Sequence, residues 1–102
     1  MKNPLLAGLR ATHPGEMLRE DVLPALGKPK AEIARLLGVS RQTLYDLLNE
    51  KQPVTANMAL RLGKLCGDGP RIWLAMQQAY DIEIATRDLA GEIDKIPTLH
   101  AA

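Results

Sequence analysis

Gly38, set between two runs of apolar residues at helical spacing, limits what this chain can become. The stretch from Lys30 to Asn49 reads Lys-Ala-Glu-Ile-Ala-Arg-Leu-Leu-Gly-Val-Ser-Arg-Gln-Thr-Leu-Tyr-Asp-Leu-Leu-Asn. Ala34 comes four residues before the glycine, Val39 follows it, and Leu44 and Leu47 repeat at helical spacing. This spacing predicts two short amphipathic helices meeting at a tight turn, a helix-turn-helix whose second helix is shaped to enter a DNA major groove. Ala34 is small, so the second helix can cross close above it. Gly38 stands where the first helix must stop in a left-handed backbone conformation that glycine enters without cost. Ser40 is placed to cap the second helix. Leu44 and Leu47 pin that helix to a core and turn Arg41, Gln42, Tyr45 and Asp46 outward. An ordinary helical hairpin with Gly38 as a plain C-cap is the alternative. Against it stand the hydrogen-bonding forks of Arg41 and Gln42 in the first turn of the second helix, the end that probes base edges in this geometry. Lys51 and Gln52 follow the helix at once, where a loop can reach a phosphate.

The chain has 102 residues, the size of one compact domain, and 46% of them are hydrophobic, enough for a real core. Phe is absent and aromatics are 3%, so the core is expected from Leu, Ala, Ile, Val and Met, and a stacking platform for single-stranded nucleic acid is not expected. The single Cys66 forms no internal disulfide and is expected as a buried thiol. Cys and His do not cluster as zinc ligands would. No stretch approaches the ~20 apolar residues of a membrane span, and the start is too short for a signal peptide, so a cytoplasmic protein is expected. A net charge of +1 looks low for a DNA binder until the chain is divided. Residues 1–64 carry ten Lys/Arg against six Asp/Glu, and residues 65–102 carry three against six. The half with the helix-turn-helix is basic, and phosphate attraction needs only a local positive face. Random scatter of charge is the alternative.

Residues 1–12 hold Pro4 and Gly8 without clear periodicity and read as a flexible arm. Pro14 fits the first position of the first helix, Glu16 suits the positive end of its dipole, and Pro24 and Gly27 are expected to end it. His13 reads as a capping or packing histidine, since no Ser or Cys partner is suggested. The second helix is expected from about Lys30 to Leu37 and the third from about Ser40 to Asn49. Thr55 caps a fourth helix carrying Met58, Leu62 and Leu65. Gly67-Asp68-Gly69-Pro70 forms a turn into a fifth helix. From Arg87 its pattern weakens, though Leu89, Ile93 and Ile96 keep a period near 3.6, and Pro97 ends it. Helices one to four can enclose one core, which leaves the fifth, with the only Trp, in surplus. Its apolar set of Ile72, Trp73, Met76, Tyr80 and Ile84 suggests a subunit contact. The alternative is intramolecular, with the helix covering the domain's open side. The expected organisation is an arm at 1–12, a helix-turn-helix domain with its dimerisation helix at 13–86, and a helical extension and tail at 87–102.

At this point a family comes into view. The run His13-Pro14-Gly15-Glu16-Met17-Leu18-Arg19-Glu20 resembles the opening of the HigA-type antitoxins, the plasmid-maintenance antidote proteins of the VapI group. So do Ala34, Leu37-Gly38-Val39-Ser40-Arg41 and Leu48-Asn49-Glu50-Lys51, and the match continues through Val54-Thr55-Ala56-Asn57-Met58-Ala59-Leu60-Arg61-Leu62. It closes with Pro70, Trp73-Leu74, Gln77 and Ala79-Tyr80-Asp81. Several motifs in the right order are more specific than the helix-turn-helix alone. The resemblance implies an all-α, five-helix, lambda-repressor-like DNA-binding domain of the xenobiotic-response-element class. It also implies a homodimer that binds an operator upstream of its own operon and neutralises a small, basic RelE-like (HigB-type) toxin that cuts messenger RNA. The antitoxin itself is not an enzyme and uses no cofactor. Gly69 replaces the family's usual Ser, and Arg71 stands where an acidic residue is common. The similarity spans roughly residues 12–84 and leaves the tail beyond Ala85 open.

On this reading a dimer sets two copies of the third helix about 34 Å apart on a palindromic operator. Arg41 suits guanine and Gln42 adenine, each by two hydrogen bonds. Tyr45 and Asp46 follow a turn later, Asp46 accepting from cytosine or orienting Arg41 or another donor. Ser40, Thr43, Lys51 and Thr55 are candidates for phosphate contacts. A free-standing regulator without a toxin and a purely protein-binding helical adaptor remain as other readings. No carboxylate pair, metal-ligand spacing, nucleophile–base set or phosphate loop supports an enzyme. Candidate surfaces for a toxin are the arm, the first helix and the acidic C-terminal half, the last by charge matching alone.

Overall fold

A computed structural model of the chain describes residues 10–101; residues 1–9, most of the expected arm, lie outside it. Among the described residues there are five helices and no strand. The first, α1, spans residues 14–26 and is α-helical at Pro14–Met17 and Leu23–Leu26, with a π-helical turn at Leu18–Val22 between them. The others are α2 (Lys30–Leu37), α3 (Arg41–Leu48), α4 (Ala56–Cys66) and α5 (Arg71–Ile93).

Local chemistry sets most of the boundaries. His13 opens α1 by accepting the Gly15 N–H on Nδ1 at 2.9 Å, and Pro14 takes the position where a missing N–H costs nothing. Pro24 does not end the helix. The turn before it is widened, Leu23 N–H reaching back five residues to the Leu18 carbonyl, and this loosening accommodates a ring that would crowd an ordinary α-turn. Gly27 ends it instead, in the left-handed conformation. Gly38 ends α2 at φ 74°, ψ 31°, while Val39 N–H closes on the Ala34 carbonyl at 3.0 Å. Ser40 and Thr55 cap α3 and α4 by accepting the N–H groups of Thr43 and Met58.

The core follows from the apolar stripes these helices carry. Leu18, Ile33, Leu44, Leu47, Ala59, Leu62 and Trp73 are 0–1% exposed and form one cluster. Ala34 lies in it, small enough for α3 to cross close above α2. Two glycines mark backbone-to-backbone contact. A Cβ on Gly15 would stand 1.9 Å from the Leu47 carbonyl oxygen, so α1 touches the main chain of α3 there. A Cβ on Gly63 would meet the Gly69 backbone at 2.2 Å. Gly15→Ala is expected to cost about 1–3 kcal/mol by overpacking, read as a lower urea midpoint with an unchanged slope. An unaltered midpoint would mean that α1 is not seated on α3 as described.

The fifth helix divides into two parts. Its first half closes the domain, as the intramolecular alternative required. Trp73 is 0% exposed and donates its Nε1–H to Asp68 at 3.1 Å, so it belongs to the chain's own core and not to a subunit contact. Met76 packs against the same core, Tyr80 lies edge-on to His13 at 4.9 Å, and Ile84 is half-buried. Of the five residues expected at a subunit surface only Ile72 is exposed. The second half runs through residue 87 without interruption, and every residue from 85 to 101 is exposed. This projection gives the chain a 51 Å long axis and a 16.9 Å radius of gyration, against about 13 Å for a compact chain of this length. The N-terminal approach is tied to the same helix, Ala11 N–H donating to the Glu83 carboxylate.

Candidate nucleic-acid interface

The third helix presents two chemically distinct sides. Leu44, Leu47 and Leu48 are buried, while Arg41, Gln42 and Tyr45 are exposed and Thr43 and Asp46 half-buried. The first turn thus offers Arg41 and Gln42 to solvent from a helix that the core holds on its other side. Ser40 Oγ accepts the Thr43 N–H at 3.0 Å and donates to Thr43 Oγ1 at 2.9 Å. Gln42 Nε2 donates to Asp46 Oδ1 at 2.8 Å. Asp46 therefore orients Gln42, which is exposed. No contact ties Arg41 to another described side chain among the hydrogen bonds and ion pairs of the site.

Several neighbours hold this helix in place, and sequence reasoning did not single them out for that role. Arg61, on α4, donates through Nη1 to the Leu37 carbonyl at 2.8 Å and more weakly to Gly38 at 3.4 Å, while its Nε–H meets Asn57 Oδ1 at 2.7 Å. It satisfies the carbonyls left open where α2 stops and braces the turn leading into α3. Arg19, on α1, does the same at the far end, donating to the Leu48 carbonyl at 2.6 Å. The same guanidinium bonds Glu20 at 2.8 Å and lies 3.5 Å from Glu50, which keep it charged. Glu50 itself adopts φ 60°, an uncommon left-handed conformation for a residue with a side chain, at the turn away from α3. Each basic residue belongs to one helix and serves the end of another, so periodicity along the chain carries no sign of it.

The loop after α3 is anchored through Gln77. This residue is 6% exposed; its Oε1 accepts the Val54 N–H at 2.8 Å and its Nε2 donates to Asp81 at 2.9 Å. Gln52 Nε2 reaches the Thr43 carbonyl at 3.4 Å. Lys51 and Thr55 are exposed on this loop, and Thr55 lines a depression of about 290 Å³ together with Thr43, Asn57 and Arg61. Ser40, Thr43, Thr55 and Arg61 thus border one surface with the first turn of α3, and Lys51 stands at the far end of the helix. Lys30 adds a cation the sequence reading did not place here, its ammonium 5.9 Å from the centroid of the Tyr45 ring.

His13 does not belong to this surface. It is 3% exposed, and burial pushes its pKa below the ordinary histidine value, opposed by the nearby carboxylates of Glu50, Asp81 and Glu16. A neutral ring accepting the Gly15 N–H is a structural cap. Cys66 is half-buried, and burial beside Asp68 raises its thiol pKa, the opposite of an activated nucleophile. Among the described residues no group of His, Cys, Asp and Glu is arranged to hold a metal ion, and no helix is long and apolar enough to cross a membrane.

An exposed polar first turn on a helix seated by its neighbours' side chains defines a helix-turn-helix protein, and comparison with known proteins agrees. The family described as helix-turn-helix matches residues 18–74. "Virulence-associated protein I" of Dichelobacter nodosus is 40% identical over 78 residues, 76% of this chain and 72% of that protein. The solved structure of "antitoxin GraA in complex with its operator" superposes with a TM-score of 0.83 at 38% identity, covering 99% of both chains. "Pseudomonas aeruginosa antitoxin HigA with higBA promoter" gives 0.82 at 33% identity, covering 89% of this chain and all of that one. This chain belongs to the helix-turn-helix family, in the group of the HigA antitoxins and the VapI-type virulence-associated proteins, which are DNA-binding regulators and not enzymes.

Proposed function

We propose that this protein is an antitoxin that binds a palindromic operator as a homodimer, represses its own operon, and neutralises a basic RelE-like (HigB-type) messenger RNA endoribonuclease by binding it. The observation that carries the DNA reading is the first turn of α3: Arg41 and Gln42 are exposed while Leu44 and Leu47 on the same helix are fully buried. Arg41 and Gln42 read base edges, with Tyr45 and Asp46 a turn further along, Asp46 acting by aligning Gln42. Ser40, Thr43, Lys51 and Thr55 meet phosphates, which position the helix without reading sequence. Two relatives with operator or promoter DNA in their solved complexes support the assignment. The antitoxin role rests on the relatives' names and on the acidic C-terminal half as a match for a basic toxin.

The test is a titration of DNA from upstream of the gene against a scrambled duplex at several salt concentrations, followed by co-expression with the neighbouring gene product. Tight, salt-sensitive binding to the upstream duplex and a co-purifying complex that still shifts it are expected. Binding without a complex would leave a free-standing regulator, and no preference for the upstream duplex would leave a protein-binding adaptor. Lys51→Ala is expected to weaken binding to both duplexes alike and to reduce the salt slope by about one. A change confined to the preferred duplex would show that Lys51 reads sequence instead.

A further inference from the structure

An open cleft of about 530 Å³ lies between α2 and α4, beside the turn at Gly38. Leu37 and Leu65 form its inner side, Leu37 buried and Leu65 packed against the core. Leu36 and Leu60 form its outer side, 44% and 60% exposed. Single exposed leucines are ordinary on a protein surface, but these four share one depression and make one apolar patch. The other side chains of the lining are cations, Arg61 and Lys64, and no carboxylate lines the cleft among the described residues. Arg61 donates to the Leu37 carbonyl through Nη1 and to Asn57 through Nε, and Nη2 takes part in neither bond. Lys64 enters no ion pair among the described residues. The helices that build the cleft carry the same sign. In α4 stand Arg61 and Lys64 with no acidic residue, and in α2 stand Lys30 and Arg35 against Glu32. Glu32 is already shared between Lys28 at 3.8 Å and Arg35 at 3.6 Å.

We propose that this cleft docks an acidic amphipathic helix of another protein, its apolar side chains seated between Leu36 and Leu60 and its carboxylates against Lys64 and Arg61 Nη2. A groove between two helices takes a third by its apolar face, and charges at the rim select the partner. The rim disfavours the other occupants. A basic toxin would bring like charge to Lys64 and Arg61. A second copy offering the same face would do so as well, since an isologous contact sets each cation against its own kind. A DNA strand would neutralise the cations but would set phosphates against Leu36 and Leu60 without burying them. The cleft is nevertheless close to the reading head, because Arg61 lines both it and the depression bordered by Thr43 and Thr55. The two surfaces are distinct, as no residue of α3 lines the cleft among the described residues. A partner seated there can stand on the same DNA without displacing α3, which goes beyond the operator and toxin binding proposed above.

The isotopically labelled full chain is titrated and followed by amide NMR. The probe is a synthetic helix of about 15 residues, built from Leu, Ala and Glu at amphipathic spacing, and its control carries Lys in place of every Glu. Saturable shifts are expected with the Glu peptide at Leu36, Leu60, Lys64 and Leu65, with a Kd below about 1 mM that rises with salt. Leu60→Glu and Lys64→Glu are each expected to raise that Kd about ten-fold or more, and both keep the wild-type affinity for the upstream duplex. Both positions are exposed, so neither substitution threatens the fold. The absence of saturable shifts at these residues, or equal binding of the Lys peptide, would overturn the proposal. So would upstream DNA that moves the Leu60 and Lys64 amides, which would make the cleft part of the DNA surface. Shifts there on concentrating the protein alone would assign it to a contact between copies and overturn it too. A wild type that binds the Glu peptide but shows no preference for the upstream duplex would refute the DNA reading and leave the cleft standing.

Discussion

Trp73→Ala is expected to remove about 3–5 kcal/mol of folding stability, the range for truncating a large buried aromatic. The ring is 0% exposed and belongs to the cluster that joins α1 through α5. With ~5–15 kcal/mol available to a typical domain, the variant stands close to the unfolding threshold. Each kcal/mol shifts the thermal midpoint of a chain this size by roughly 4–8 °C, so a fall of well over 10 °C is expected by circular dichroism. Trp73→Phe keeps most of the volume and gives up the bond to Asp68, an exposed acceptor that water can satisfy. A much smaller loss, within about 1.5 kcal/mol, is expected for it. The two variants separate packing from the hydrogen bond. Should Trp73→Ala leave the midpoint unchanged and dissociate the proposed homodimer instead, the ring would belong to a subunit contact after all.

Arg41→Ala is expected to weaken operator binding by about 1–3 kcal/mol per site, roughly a 5- to 150-fold rise in Kd, and to relax the preference at one base position. The reason lies in exposure and position: the guanidinium stands in the first turn of α3, with the Ser40 cap behind it and the core holding the opposite side. In the proposed homodimer the contact is lost twice. Folding stability is expected to change by no more than ~0.5 kcal/mol, because the side chain is exposed. Gel-shift titrations against the operator and against duplexes altered one position at a time check both parts. Equal affinity of wild type and variant for the operator would remove Arg41 from the reading surface. Gln42→Ala tests a coupled pair, since it also frees Asp46 from its partner. Its effect and that of Asp46→Ala are expected to be non-additive.

Burial separates these two predictions, and burial was only partly legible along the chain. Glycine, caps and spacing placed the turn at Gly38, the caps at Ser40 and Thr55, and the inward Leu44 and Leu47, because each depends on residues within one helical turn. The apolar residues of α5 were marked correctly as apolar, but whether they met a subunit or the chain's own core stayed open. A helix with hydrophobic residues on two sides has no single periodicity, and its inner set, Trp73, Met76, Tyr80 and Ile84, overlaps in sequence with its outer set, Ile72, Ile82 and Leu89. Pro24 was misleading for a similar reason: a proline breaks an α-helix, but the widened turn ahead of it removes the clash.

Short-range chemistry, then, was written in the order of residues: an all-helical chain, the turn that presents α3, the polar forks at its start, and kinship with the antitoxins. What required the folded chain was everything that joins distant segments. Arg61 closing the end of α2 across 24 positions, Arg19 closing α3 across 29, and Gln77 holding Val54 across 23 are contacts between residues whose spacing has no period. A side chain's local preference is set by its neighbours in sequence, whereas its partner is set by how whole helices cross. Only the crossing decides which face of α5 is spent on the core and which is left exposed.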